Sequence, residues 1–176
     1  EKLFASLTSK PTTISGYGIT DAFANIVEDT TPQLGGDLDL NLKNILLTAP
    51  VSDHTGEGII ISGTVDVNAY GIGAALAIAS DGNWETVDAD IAADVPCTGI
   101  ALEAGTGTKK ILLIGIMRDD SWAFVEGSPV YISNTDGSLT TTAPSGVGDF
   151  VQRVGVALDG GNSLFFCPSL DVIELV

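Results

Sequence analysis

The sequence predicts an all-β protein: an extended N-terminal arm or shaft segment, residues 1–55, followed by a small β-barrel or β-sandwich, residues 56–176, built from two similar four-strand units. Three observations predict it. From Ala74 onward the chain duplicates itself. Each copy carries an Asp-Gly pair between two alternating runs, the strongest short-range hairpin signal. In Thr30–Ile45, apolar and polar residues alternate through Leu38, Asp39, Leu40, Asn41 and Leu42. Period-two alternation puts the leucines on one face of an extended strand. No neighbouring segment is an obvious partner for that face, so copies of the same chain are expected to supply it.

Bulk composition sets the bounds. Of 176 residues 44% are hydrophobic and only 17% charged, which excludes a disordered acidic tail and calls for a packed core. The 21 glycines are scattered, as many tight turns require. No apolar run approaches the roughly 18–20 residues that span a bilayer, so membrane insertion is not expected. Glu1 is no initiator methionine, and the chain reads as a fragment or a processed product. Net charge is −16, and Lys109–Lys110 is the only adjacent basic pair, so no basic stripe exists to neutralise phosphates and nucleic acid is not an expected partner. Cys97 and Cys167 each sit among apolar residues without CxxC spacing. Two buried small hydrophobes are the simpler reading, with a disulfide as the alternative.

In chain order, Glu1–Lys10 is mixed and fits either one helical turn or a strand. Pro11 bars a helix from running through the next segment, and Thr20–Asp21 can cap a short helix over Ala22–Val27. Two stretches here carry specific wording: KPTTISGYGITDA, Lys10–Ala22, and DTTPQLGGDLDLN, Asp29–Asn41. Each resembles segments of bacteriophage tail fibre and related virion fibre proteins, and their tandem order strengthens the resemblance. Together they lie within Lys10–Ile45, about a fifth of the chain. The chain departs from the family pattern in showing one copy of the GYGITDA unit where fibre shafts often repeat it. The resemblance implies a homotrimer whose chains share an axial core, with Leu34, Leu38, Leu40, Leu42 and Ile45 as the oligomer contacts. A Gly-rich, alternating segment too short to fold alone suits such sharing.

Val51–Thr64 combines a polar turn, DHTGEG, with GIIISGTV, a glycine-bounded apolar run expected to be a buried strand. His54, the only histidine, lies beside Asp53 and near Glu57. Without a second nitrogen or sulfur donor it makes a poor zinc set, so a polar turn is expected and no metal or other cofactor is assigned. The duplicated part then reads ALAIASDGNWET, TGIALEAGTG and KKILLIGIM, answered by PVYISNTDGSLT, VGVALDGGN and SLFFCPSL. Each unit is strand, tight turn, strand, loop, strand, Gly-containing turn, strand. The expected core face comprises Leu76, Ile78, Ile100, Leu102, Leu112, Ile114, Val130, Ile132, Val156, Leu158 and Phe165. GSPVYIS, Gly127–Ser133, and VGVAL, Val154–Leu158, are similar to small β-barrels of phage structural proteins, capsid-decorating ones included.

Enzymatic signatures do not assemble. There is no G-x-S-x-G elbow, and a lone histidine would have to serve any triad. EAGTGTKK, Glu103–Lys110, lacks the Gly-Lys-Ser/Thr ending of a phosphate loop and reads as a hairpin turn. Asp88, Asp90 and Asp94 could touch calcium but lack the glycine and distal glutamate of an EF-hand, so a solvated acidic loop is expected. Asp119 and Asp120 beside Trp122 and Phe124 could cleave or bind sugars, but adjacent residues point in different directions and acidic turns are common. Trp84, Tyr131 and Trp122 could each offer a glycan an aromatic face, with core packing expected for at least two of them. The expected function is that of a non-enzymatic phage virion structural protein, the distal part of a trimeric tail fibre used in host attachment. Its partners would be itself, other virion proteins and a host surface glycan or protein. Receptor contact is expected on three turns, through Asp81, Asn83 and Trp84, through Asp120 and Trp122, and through Asn134 and Asp136. The alternative is a capsid decoration or head-fibre protein whose arm clamps capsomers.

Overall fold

A computed structural model describes residues 45–66, 70–158 and 160–176. The segment bearing Leu34, Leu38, Leu40 and Leu42, and the helical turn expected at Ala22–Val27, lie outside the described residues. Leu46–Val176 belong to one compact unit. Its strands are β1 (Thr55–Val65), β2 (Ala75–Ile78), β3 (Trp84–Thr86), β4 (Gly99–Ala101), β5 (Gly107–Arg118), β6 (Pro129–Ile132), β7 (Leu139–Thr140), β8 (Phe150–Val151), β9 (Arg153–Ala157), β10 (Ser163–Phe166) and β11 (Ile173–Glu174). A single 3-10 turn, Ala92–Asp94, is the one helical element among the described residues. The protein is all-β.

Nine strands form one sheet in the order β1-β3-β2-β4-β5-β10-β9-β6-β7, and β8 pairs with β11 separately. The duplication is visible in this order. Unit one runs β3-β2-β4-β5 and unit two runs β7-β6-β9-β10, the same connectivity in mirrored sequence, joined antiparallel through their fourth strands β5 and β10. Asp81–Gly82 turns β2 into β3 and Asp136–Gly137 turns β6 toward β7, with both glycines at positive φ. Glu103–Lys110 contains the β4–β5 hairpin turn, as its composition requires. The two units also meet away from β5 and β10. Gly137 N donates to Val87 O, and Ala75 N donates to Gly137 O. One core therefore serves both, with Ile100 and Leu112 from unit one and Val130, Ile132, Val154, Leu164 and Phe166 from unit two in a single cluster.

Four expected core residues face outward instead. Ile78, Ile114, Val156 and Phe165 are exposed, while Ala77, Val154, Ala157, Leu164 and Phe166 are buried. Leu102 and Leu158 are half-buried. In ALAI, VGVAL and SLFF neighbouring positions are both apolar, so the pattern alone could not choose a face, and a one-residue slip inverts the strand. For Ile114 there is a further cause. Pairing passes from Ile60↔Leu112 to Ile59↔Ile114, leaving Leu113 as an extra residue in a β-bulge that breaks the alternation.

The strand expected to be buried, GIIISGTV, is not. β1 lies against β5 along its whole length, yet Ile59 is 59% exposed and Ile60 and Ile61 are also open. Gly58 lies opposite Gly115 in this pair, and a Cβ on either would stand 2.1 Å from the other strand's carbonyl oxygen. That contact lets the two backbones approach more closely than any side chain would allow. β1 also touches β3 through one parallel pair, Val65↔Trp84, so the pairings β1-β3-β2-β4-β5 return to β1.

Candidate functional site

Two of the three expected contact turns come together. Trp122, from the turn after β5, and Asp136, from the turn after β6, line one cavity of about 280 Å³ with Tyr70, Asp119, Ser121 and Ser138. Its wall is glycine-rich backbone, Gly71–Gly73 and Gly137. Trp122 is fixed by its neighbour Phe124, whose ring centroid lies 4.9 Å away at a tilt of 32°. Tyr70 is buried and its hydroxyl donates to Gly105 O. Burial, with Glu103 nearby, raises its phenol above the ordinary value. The cavity is thus mainly polar, offering two carboxylates and serine hydroxyls with only a little aromatic surface. A polyhydroxylated ring is recognised by that mixture, apolar faces on aromatics and hydroxyls on carboxylates.

The third turn is elsewhere and has another task. Asp81 and Asn83 hold each other: Asn83 N donates to Asp81 Oδ1 at 2.9 Å and Asn83 Nδ2 to Asp81 Oδ2 at 2.9 Å. Trp84 is not a surface residue, being only 5% exposed. Its indole fills the space left by two glycines, since a Cβ on Gly63 would fall 2.4 Å from its Nε1 and one on Gly99 2.8 Å from its Cζ3. A tryptophan beside an Asp-Gly turn looks like a displayed aromatic in sequence; only the distant glycines reveal the slot it occupies. Asn134 is exposed and Ile45 is exposed, and neither lines the cavity. Asp120 is exposed but engaged: its Oδ1 accepts from Arg118 Nε at 2.7 Å and from Asn162 Nδ2 at 2.9 Å.

Asp119 and Asp120, adjacent in sequence, face different surroundings. Asp119 is 4% exposed. Its Oδ1 accepts from Ser121 N at 2.8 Å and Ser121 Oγ at 2.6 Å, and its Oδ2 faces His54 Nε2 at 3.6 Å. His54 Nδ1 in turn lies 3.4 Å from Asp53 Oδ2. Asp53, His54 and Asp119 are the one group of three possible metal donors that converges among the described residues. In the sequence His54 lies beside Asp53 and near Glu57; the third donor comes instead from the residue after β5, a partner that spacing does not reveal. Asp88, Asp90 and Asp94 do not converge in this way. Burial raises the carboxyls of Asp88 and Asp94, and the charge of Asp136 raises both further.

Cys97 and Cys167 are both free thiols. Cys97 is buried and its thiol is pushed up to about 12 by burial, whereas Cys167 is exposed, contrary to the expectation that both are buried. No protein-family model, curated protein or solved structure matches this chain.

Proposed function

We propose that the protein is a bacteriophage virion structural protein, the distal part of a trimeric tail fibre, and that it adheres to the host surface without catalysing a reaction. The single observation that carries this reading is the convergence of Trp122, Tyr70, Asp119 and Asp136 on one open cavity. A cavity of about 280 Å³ is small, suited to one or two sugar rings and to weak individual contacts. Three such sites on one axis raise avidity by effective concentration rather than by any single strong contact. In this reading the strand circuit through β1 closes a small β-barrel, and residues 1–55 trimerise or attach the fibre.

The outer sheet face supports self-association. Phe165 pairs with Ile116 on one side and Val156 on the other, and Ile114 with Ile59 forms the next apolar row. Phe165 is 40% exposed, and Val156, Ile114 and Ile59 are open too, with Ile116 half-buried between them. With a net charge of −16, copies of the chain repel one another over most of their surface. This face carries one acid, Glu57 opposite Ile116, and its apolar rows are where copies can meet.

Immunogold electron microscopy of intact particles, with antibody raised against this chain, tests the assignment. Gold at the tail periphery is expected. Gold over the head would overturn the fibre reading in favour of a capsid decoration protein, with the same apolar face seated on the shell.

A further inference from the structure

We propose that Asp53, His54 and Asp119 form a binding site for a divalent first-row transition cation such as Zn²⁺. One ligand atom from each lies within 4.8 Å of the others. Donors around an ion with bonds of ~2.0–2.2 Å stand roughly 3–3.5 Å apart when adjacent. Only one ring nitrogen can hold a given ion: His54 Nε2 stands 3.6 Å from Asp119 Oδ2, close to that spacing, while Asp53 Oδ2 lies 3.4 Å from the other nitrogen, Nδ1, and has to swing round to join the set. Asp53 and His54 are both exposed, so side-chain rotations can bring the set in.

The arrangement of the two carboxylates is what distinguishes this cluster from a chance one. Each has one oxygen held by the chain and the other presented to the imidazole. Asp53 Oδ1 accepts from Asp120 N at 2.8 Å, and its Oδ2 faces His54 Nδ1. Asp119 Oδ1 accepts from Ser121 N and Oγ, and its Oδ2 faces His54 Nε2. Asp119 is more than nine-tenths buried, and among the described residues no donor reaches its Oδ2 within hydrogen-bond distance. Among the described residues the only enclosed side-chain polar atom without a partner is Thr98 Oγ1, so Asp119 Oδ2 keeps access to solvent and is open to a cation. Space beside that oxygen is kept clear, because a Cβ on Gly73 would stand 2.6 Å from it.

His54 sits on an uncommon backbone conformation. Its φ is 56°, the only non-glycine residue at positive φ among the described residues. Hydrogen bonding from Thr55 Oγ1 to Ser52 O closes the same turn. The set still lacks the second nitrogen or sulfur donor of a typical zinc site, so binding is expected to be weak, but its one imidazole favours a borderline cation over Ca²⁺ or Mg²⁺, which prefer all-oxygen shells. Three protein donors leave coordination positions for water or a ligand oxygen. Asp119 also lines the cavity, so loading the cation changes the charge of its wall.

The test uses the full chain carrying Cys167→Ser, which removes the exposed thiol as a competing zinc donor. Titration with ZnCl₂ by calorimetry should show one cation per chain, and saturating zinc should raise Tm by about 5–10 °C. His54→Asn, a side chain tolerant of left-handed backbone, and Asp119→Asn should each weaken binding at least about tenfold and remove the Tm shift. Circular dichroism without metal checks that both variants fold. Absence of zinc binding in the parent chain, or less than about a tenfold loss in either folded variant, would overturn the proposal. CaCl₂ at the same concentration should neither bind the site nor displace zinc; displacement would also overturn it.

Discussion

Gln152 pairs with Cys97 as a strand would. Cys97 N donates to Gln152 Oε1 at 2.7 Å, and Gln152 Nε2 donates back to Cys97 O at 2.9 Å and also to Ser169 O. Gln152 is fully buried between β8 and β9, in unit two, and Cys97 precedes β4, in unit one. One side-chain amide therefore satisfies both backbone groups of a buried residue in the other unit.

Replacing Gln152 with alanine leaves those groups without partners and opens a cavity. A buried unsatisfied donor or acceptor costs roughly 1–3 kcal/mol. Two of them should destabilise the chain by about 2–5 kcal/mol, read as a lower urea midpoint. Gln152→Glu should be no rescue, because a carboxylate cannot donate to Cys97 O. A wild-type midpoint for the alanine variant would show that β-sheet pairing alone holds the units together.

The two thiols should be separable by reactivity. Cys97 is buried with its thiol held near 12, so its thiolate is scarce and shielded. Cys167 is exposed. A thiol reagent should titrate one group per native chain and two after denaturation. Two fast groups in the native protein would mean that the β4 entry opens readily.

Much of this fold was legible because its signals are local. Asp81–Gly82 and Asp136–Gly137 announced the hairpins, and the repeated order of strands followed from comparing the two copies. Which face of each strand points inward was not legible where apolar residues adjoin, as at Val156–Ala157 and Leu164–Phe166. Trp122 and Asp136 stand on two separate turns, and nothing local in the sequence brings them to one cavity. Asp119 beside His54, and Trp84 between Gly63 and Gly99, depend on contacts distant along the chain, and no local pattern encodes them.

The two tryptophans should respond unequally to truncation. Trp84→Ala empties a core slot and should cost about 3–5 kcal/mol of stability. Trp122→Ala removes a half-buried ring resting on Phe124 and should cost only about 1 kcal/mol. Host-cell adsorption, measured with the folded variant, should nevertheless fall with Trp122→Ala. If adsorption survives that change, the cavity is not the receptor contact.

Acidification should first stabilise the protein and then destabilise it. Asp94 is raised by burial first, then by Asp136 and Asp90. Asp88 is likewise raised by burial first, with Asp90 and Asp136 adding to it, and Glu85 by burial, then Asp94, Asp66 and Asp81. A carboxyl raised on folding binds its proton more tightly in the folded chain, so stability grows as pH falls through that group's folded range. Relief of the general repulsion at a net charge of −16 acts in the same direction. Asp53 acts oppositely. The hydrogen bond from Asp120 N holds it below the ordinary value of 3.8, so its contribution is present above that value and is lost as pH falls through its folded pKa. Tm should therefore rise as pH falls from neutral toward the ordinary carboxylate values, 3.8 for Asp and 4.5 for Glu, and decline once pH falls below them. Asp136→Asn removes the like charge shared by Asp88 and Asp94, so it should raise Tm at neutral pH and flatten the rise. A Tm that falls steadily from neutral pH, or an Asp136→Asn profile parallel to wild type, would show that these carboxylates do not govern the response.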